Sequence, residues 1–237
     1  MLKSARLIKI CNYGIFILTN EKRIKMAKLY FKYGAMGSSK SANALMAEYN
    51  YAERGKKVIL AKSSIDTREG KKMIRSRIGL EHDCIYLEDL LSETVVKGLD
   101  VIRKNPDSEE AEKWKKTLCE GELLCDAIIV DEAQFASVEE IDLLSDLVDF
   151  LDIPVLCYGL RADFQNNAFP GSRRLLEIAD LMEEIKTVCW CGRKATCNAR
   201  YNENGIIRQG AQIEIGANDK YIALCRKHLK EGKLRPE

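Results

Sequence analysis

The octapeptide Gly34-Ala35-Met36-Gly37-Ser38-Ser39-Lys40-Ser41 constrains this chain more than any other stretch. It lies between the strand-like run Leu29-Tyr30-Phe31 and a helical run from Ser41 to Arg54 that Gly55 ends. A strand turning through small residues into a helix is the setting of a Walker-type phosphate loop. Small side chains let successive backbone N–H groups face inward around the β- and γ-phosphates, where the positive helix end adds to them. Lys40 would bridge those phosphates, and Ser41 would offer its hydroxyl to Mg²⁺. The glycine that usually precedes the lysine is Ser39 here. The backbone at 39 therefore either keeps to a region open to L-residues or is strained. Taken alone, the octapeptide also fits an ordinary strand-turn-helix with a chance Lys-Ser.

The rest of the chain supplies the alternation such a loop needs. Val58-Ile59-Leu60-Ala61 reads as a second strand, followed by a polar loop from Ser63 to Glu69. A helix is expected over Leu91 to Lys104, and the charged, Pro-containing stretch Asn105 to Lys116 reads as a surface insertion. Ala127-Ile128-Ile129-Val130 is a continuous apolar run of the kind buried on both faces of a parallel sheet. Ser137 to Phe150 follows as a helix, with Ser137 and Glu140 spaced as a capping box. A strand over Pro154 to Leu160, a helix over Arg173 to Glu184 and a last strand over Lys186 to Val188 complete the pattern. Short strands alternating with helices predict an α/β fold with a mostly parallel sheet.

Asp131-Glu132 stands at the carboxyl end of the strongest strand, where ligand sites form in such sheets. In phosphate-loop enzymes the aspartate at this place helps hold Mg²⁺, which leaves Glu132 to take a proton from an attacking hydroxyl as general base. The same pair would also suit an ATPase whose Glu132 activates water, or the start of a solvated helix.

Composition changes at Cys189, and a boundary is placed near 188. Beyond it the apolar runs shorten, and Cys189, Cys191, Cys225 and His228 form two close pairs of soft ligands suited to tetrahedral zinc. A four-ligand site has no open coordination position, so the metal is expected to be structural. The first pair is one residue shorter than the usual C-x-x-C, and Cys197 is a spare candidate ligand. Closing Gly192 to Leu224 into a lasso would preorganise a substrate clamp.

Charge argues against nucleic-acid or membrane partners, since 38 basic and 36 acidic side chains nearly cancel. Nine cysteines, several inside apolar runs, suit a reducing cytoplasm rather than a disulfide scaffold. Residues 1–25 carry Lys3, Arg6 and Lys9 ahead of Ile15-Phe16-Ile17-Leu18, a faint imitation of a signal peptide without a cleavage site. Met26 is an alternative start.

In order along the chain, the loop at 34–41, Asp131-Glu132-Ala133-Gln134-Phe135, Arg161-Ala162-Asp163-Phe164-Gln165, and Gly216-Ala217-Asn218-Asp219-Lys220-Tyr221 before Cys225 resemble the cellular and bacterial thymidine kinases with a zinc lasso. The match spans roughly 28 to 230, and residues 1–25 have no counterpart in it. The resemblance implies a RecA-like phosphate-loop kinase domain over 26–187 and a zinc-binding lasso domain with the substrate clamp over 188–237. It implies ATP with Mg²⁺, structural Zn²⁺, and thymidine or deoxyuridine as acceptor in nucleotide salvage. A homotetramer inhibited by dTTP is implied as well. By position, Glu132 carries over as catalytic base, Asp131 with Ser41 as magnesium partners, and Ala133 and Gln134 beside the phosphates. Phe135 and Phe164 would enclose the base, Met36 and Tyr221 would approach its methyl group, and Gly216, Ala217, Asn218, Asp219 and Lys220 would read its polar edge. Asp66-Thr67-Arg68 matches a loop near the phosphates, which makes Arg68 a candidate charge stabiliser. Two rivals remain open: a zinc-containing ATPase, and a nucleotide-binding module silenced by Ser39.

Overall fold

Side chains alternate across a strand, so an unbroken apolar run must bury both faces, and the strands of this chain do so. The computed structural model describes residues 27–66, 72–212 and 220–235. Its first half comprises β1 (Leu29–Tyr33), α1 (Lys40–Ala52), β2 (Val58–Lys62), β3 (Met73–Arg75), β4 (Glu81–Asp83), β5 (Ile85–Tyr86), α2 (Leu87–Leu90), α3 (Glu93–Lys104) and α4 (Glu109–Glu120). Next come β6 (Ala127–Asp131), a 3-10 turn (Ala133–Phe135), α5 (Val138–Leu151), β7 (Val155–Gly159), α6 (Pro170–Ile178) and β8 (Leu181–Glu184). The remainder is β9 (Thr187–Val188), β10 (Lys194–Ala195), β11 (Cys197–Asn202), β12 (Gly205–Ile207), β13 (Tyr221–Leu224) and α7 (Arg226–Glu231).

A six-stranded sheet runs in the order β5-β2-β6-β7-β1-β8, and all its pairings are parallel. One strand, β7, separates the loop strand β1 from β6, the order of a RecA-like phosphate-loop core. Ile128 and Val130 point to the face covered by α2 to α6, where Leu99, Leu118, Leu144 and Leu147 pack. Ile129 points the other way, with Leu60 and Tyr158, against Ala44 and Leu45 of α1. Burial of both faces explains why 127–130 has no polar member. Because the strands are parallel, their carboxyl ends share one edge: Tyr33 lies beside Gly159, and Lys62 beside Asp131.

The capping box of α5 forms as its spacing predicts, with Ser137 Oγ accepting from Glu140 N at 3.1 Å and Glu140 Oε2 accepting from Ser137 N at 2.7 Å. Three expectations need correction. Residues 105–116 are not an insertion: α4 occupies most of them, because Ser108 caps it and Ala111 and Leu118 are buried. Trp114 and Leu118 press on Gly98 of α3 so closely that a Cβ there would lie 2.8 Å from the Trp114 ring. The helix expected over 173–184 starts at Pro170 and stops at Ile178, since Asp180 is drawn to β1. Its carboxylate accepts Leu29 N at 2.7 Å and its N–H donates to Leu29 O at 2.9 Å, so the chain continues as β8. The last expected strand contracts to β9, which pairs antiparallel with β10 outside the main sheet. β3 and β4 form an antiparallel hairpin that the sequence pattern does not mark.

Beyond β10, β11 pairs antiparallel with β12 and β13. Cys189, Ala195, Cys197, Ala199, Leu224, Cys225 and Leu229 form a separate small apolar cluster. Among the described residues no helix is long and apolar enough to cross a membrane.

Candidate active site

The turn after β1 bends tightly because its glycines are needed. At Gly34 a Cβ would lie 2.4 Å from Ile185 O, and Gly37 has φ 72°. Ser39 also adopts a left-handed conformation, φ 60° and ψ 31°, so of the two alternatives for this residue the strained one holds. Lys40, buried at the start of α1, donates to Ala35 O at 3.1 Å and Gly34 O at 3.4 Å, which folds its ammonium over the turn.

Across the shared sheet edge, Asp131 ends β6 wholly within the protein. Burial first, and then the neighbouring Glu132 charge, raise its carboxyl above the usual carboxylate range; the Ser41 hydrogen bond and Lys40 act in the opposite sense. Its Oδ1 is buried with no hydrogen-bond partner among the described residues. A stranded carboxylate oxygen beside a serine hydroxyl is a hard-oxygen donor set that fits Mg²⁺.

Glu132 is the second non-glycine residue of the site with left-handed backbone, φ 52°. Such conformations persist where surrounding contacts over-determine them. The contact here is Gln134, fully buried in the 3-10 turn, whose Nε2 donates to Glu132 Oε2 and whose Oε1 accepts Leu160 N at 2.9 Å. Gly159 makes room, because a Cβ there would stand 2.8 Å from Gln134 Oε1. Gln134 and Ala133 do not line the cavity. Its walls include Met36, Gly37, Ser39, Lys40, Ser41, Asp131 and Glu132, and its volume is about 660 Å³. β3, the turn after it from Ser76 to Gly79, and Lys62 also line it. Arg68, Gly216, Ala217, Asn218 and Asp219 lie outside the described residues.

Of the aromatic candidates, Phe135 lies in the 3-10 turn, Phe164 on the loop after β7 and Tyr221 in β13. Phe135 meets Phe169 edge to face, ring centres 5.8 Å apart. Phe164 is buried beneath the Arg200 guanidinium, 4.3 Å from its ring centre. Arg200 is the cross-strand neighbour of Tyr221, which Lys220 precedes. Asp163 Oδ1 accepts from Gln165 N and Asn167 N, and its Oδ2 accepts from Gln212 Nε2 at 3.0 Å. Asn198 of β11 accepts Met36 N and donates to Ala162 O. Nothing in the spacing of the sequence marked Asn198 or Arg200; only the β11 register brings them inward.

The ligand atoms of Cys189, Cys191, Cys225 and His228 all lie within 4.8 Å of one another. Three sulfurs and an imidazole at that separation fit a tetrahedral zinc. Burial acts to raise the Cys189 thiol, but hydrogen bonds from the amides of Cys191 and Cys225 and from His228 outweigh it and hold the thiol below its ordinary range. The Trp190 ring stacks on His228 at 4.0 Å, fixing the imidazole plane. Cys197, the spare candidate, is not part of the cluster.

The thymidine kinase family profile matches residues 27–102 and 91–229. A thymidine kinase of Zymomonas mobilis subsp. mobilis is 47% identical over 208 residues, covering 87% of this chain and 97% of that protein. One from Haemophilus influenzae is 45% identical over 207 residues, with 87% and 97% covered. One from Rhizobium meliloti is 43% identical over 212 residues, with 87% and 100% covered.

Proposed function

This chain belongs to the thymidine kinase family, and we propose that the cavity between its phosphate loop and Asp131-Glu132 is where the 5′-hydroxyl of thymidine takes the γ-phosphoryl group of ATP. The chain is an ATP-dependent phosphotransferase. In the proposed step the 5′-oxygen bonds to the γ-phosphorus, the bond from that phosphorus to the β-phosphate oxygen breaks, and thymidine monophosphate and ADP result. Glu132 accepts the hydroxyl proton. Gln134 aims its carboxylate. The loop from Gly34 to Ser41 cradles the phosphates, and Lys40 turns from its carbonyl partners to them. Ser41 and Asp131 would hold Mg²⁺, which when bound neutralises charge on the phosphate oxygens.

The observation that carries this reading is the meeting of Lys40, Ser41, Asp131 and Glu132 on one cavity. Its test is ATP turnover measured with and without thymidine and across a nucleoside panel: thymidine-dependent turnover is expected, and nucleoside-independent hydrolysis would overturn it.

Finer assignments rest on the family resemblance together with the placements above. Phe135, Phe164, Met36 and Tyr221 enclose the base, the segment from Gly216 to Lys220 reads its edge, and Arg68 approaches the phosphates. Zn²⁺ on Cys189, Cys191, Cys225 and His228 staples a lasso domain beyond residue 187. Deoxyuridine is a second acceptor, dTTP a feedback inhibitor, and the working form a homotetramer. None of the eight described cysteines is in a disulfide, which supports a cytoplasmic setting.

A further inference from the structure

A second lysine faces the cavity with no assigned task. Lys62, the last residue of β2, is 1% exposed, and its Nζ has no hydrogen-bond partner among the described residues. Its nearest acid is Asp66, with Oδ2 at 3.7 Å, a charge contact too long for a hydrogen bond. An ammonium carries three donors, and a buried polar group is almost always satisfied, so a desolvated lysine with none used needs an explanation. Lys62 also lines the same cavity as Lys40 and is the strand partner of Asp131. Lys40 enters from the turn after β1, whereas Lys62 enters from the end of β2, with β6 and β7 between them.

We propose that Lys62 is a second phosphate-binding residue, which donates to the transferring phosphoryl group from the side of the cavity away from Lys40. The proposal rests on the kinase reading of the cavity. A phosphoryl group passing between two oxygens spreads charge over its equatorial oxygens, and one lysine at the loop reaches only one side of it. A pre-buried cation on the other side has little solvent to shed when that charge develops, the condition under which a fixed charge stabilises a transition state. Lys62 moves no proton in this role. If it served only to anchor Asp66, its effect on the reaction would equal that of losing Asp66.

The experiment begins with the full chain and thymidine-dependent turnover, whose absence would sink the kinase reading and with it the ground for a role of Lys62. With turnover established, Lys62→Met is expected to lower kcat about 100-fold or more, with the thymidine KM within about threefold. It is also expected to lose the tighter binding of a non-hydrolysable ATP analogue over ADP. Lys62→Arg should recover part of both. A kcat for Lys62→Met within about threefold of the native value, or an equal loss in Asp66→Asn with Lys62 intact, would overturn the proposal. Should neither Lys62 variant fold, a structure of the native chain with the ATP analogue and thymidine decides. Lys62 Nζ within about 3.2 Å of a phosphate oxygen is expected, and Nζ out of reach of every phosphate oxygen would overturn it.

Discussion

Asn198 Oδ1 accepts the backbone N–H of Met36 at 2.8 Å, which ties the β11–β13 sheet directly to the phosphate loop. The other end of the same amide donates to Ala162 O at 2.8 Å, so one buried side chain bridges three segments far apart in sequence. Asn198→Ala should strand a backbone donor and an acceptor, at a cost of about 1–3 kcal/mol. Denaturant unfolding would register that loss, and kinetics should show a raised thymidine KM. Unaltered values for both would mean the bridge holds nothing in place.

Glu132→Gln keeps an oxygen for Gln134 to donate to but removes the ability to take a proton. Turnover is expected to fall about 10²–10⁴-fold, with ATP affinity changed little. Steady-state rates and ATP titration read the two separately, and a near-native rate would remove Glu132 from the base role.

Ser39→Gly places a residue at φ 60° that adopts this conformation without a Cβ penalty. Relief of about 1–2 kcal/mol of strain, less about 0.4–1 kcal/mol for the freer unfolded chain, should raise stability by up to about 1.6 kcal/mol. Equilibrium unfolding tests this, and a clear loss of stability would show that the serine side chain contributes more than it strains.

Metal analysis of the purified chain should find about one zinc per chain, as a closed set of four ligands requires. Removing it with a chelator should alter Trp190 fluorescence, through its stack on His228, before the main sheet melts. Hydrogen exchange should quicken first over 188–232. A chain that contains no zinc as isolated and melts identically with chelator would reject the structural metal.

Sequence periodicity exposed the sheet because 127–130 and 155–159 are buried on both faces and tolerate no polar residue. The phosphate loop was legible for a related reason: its backbone needs small residues at fixed places. Legibility failed where tertiary contacts decide. In α4 only Ala111, Trp114 and Leu118 mark an apolar stripe amid charges, and their partner Gly98 lies on another helix. The switch from α6 to β8 depends on Asp180 finding Leu29, a contact across 151 residues that no local pattern announces. At the site, Lys40, Asp131 and Glu132 stood out by motif. Gln134 fell within a quoted motif, but its grip on Glu132 came only from the folded turn, and Asn198 and Lys62 carry no signature beyond their strands.

Gln134 joins Glu132 to the loop after β7, since the same amide that donates to Glu132 also accepts the backbone N–H of Leu160. Any shift of the Glu132 carboxylate would load the backbone at Leu160, four residues before Phe164.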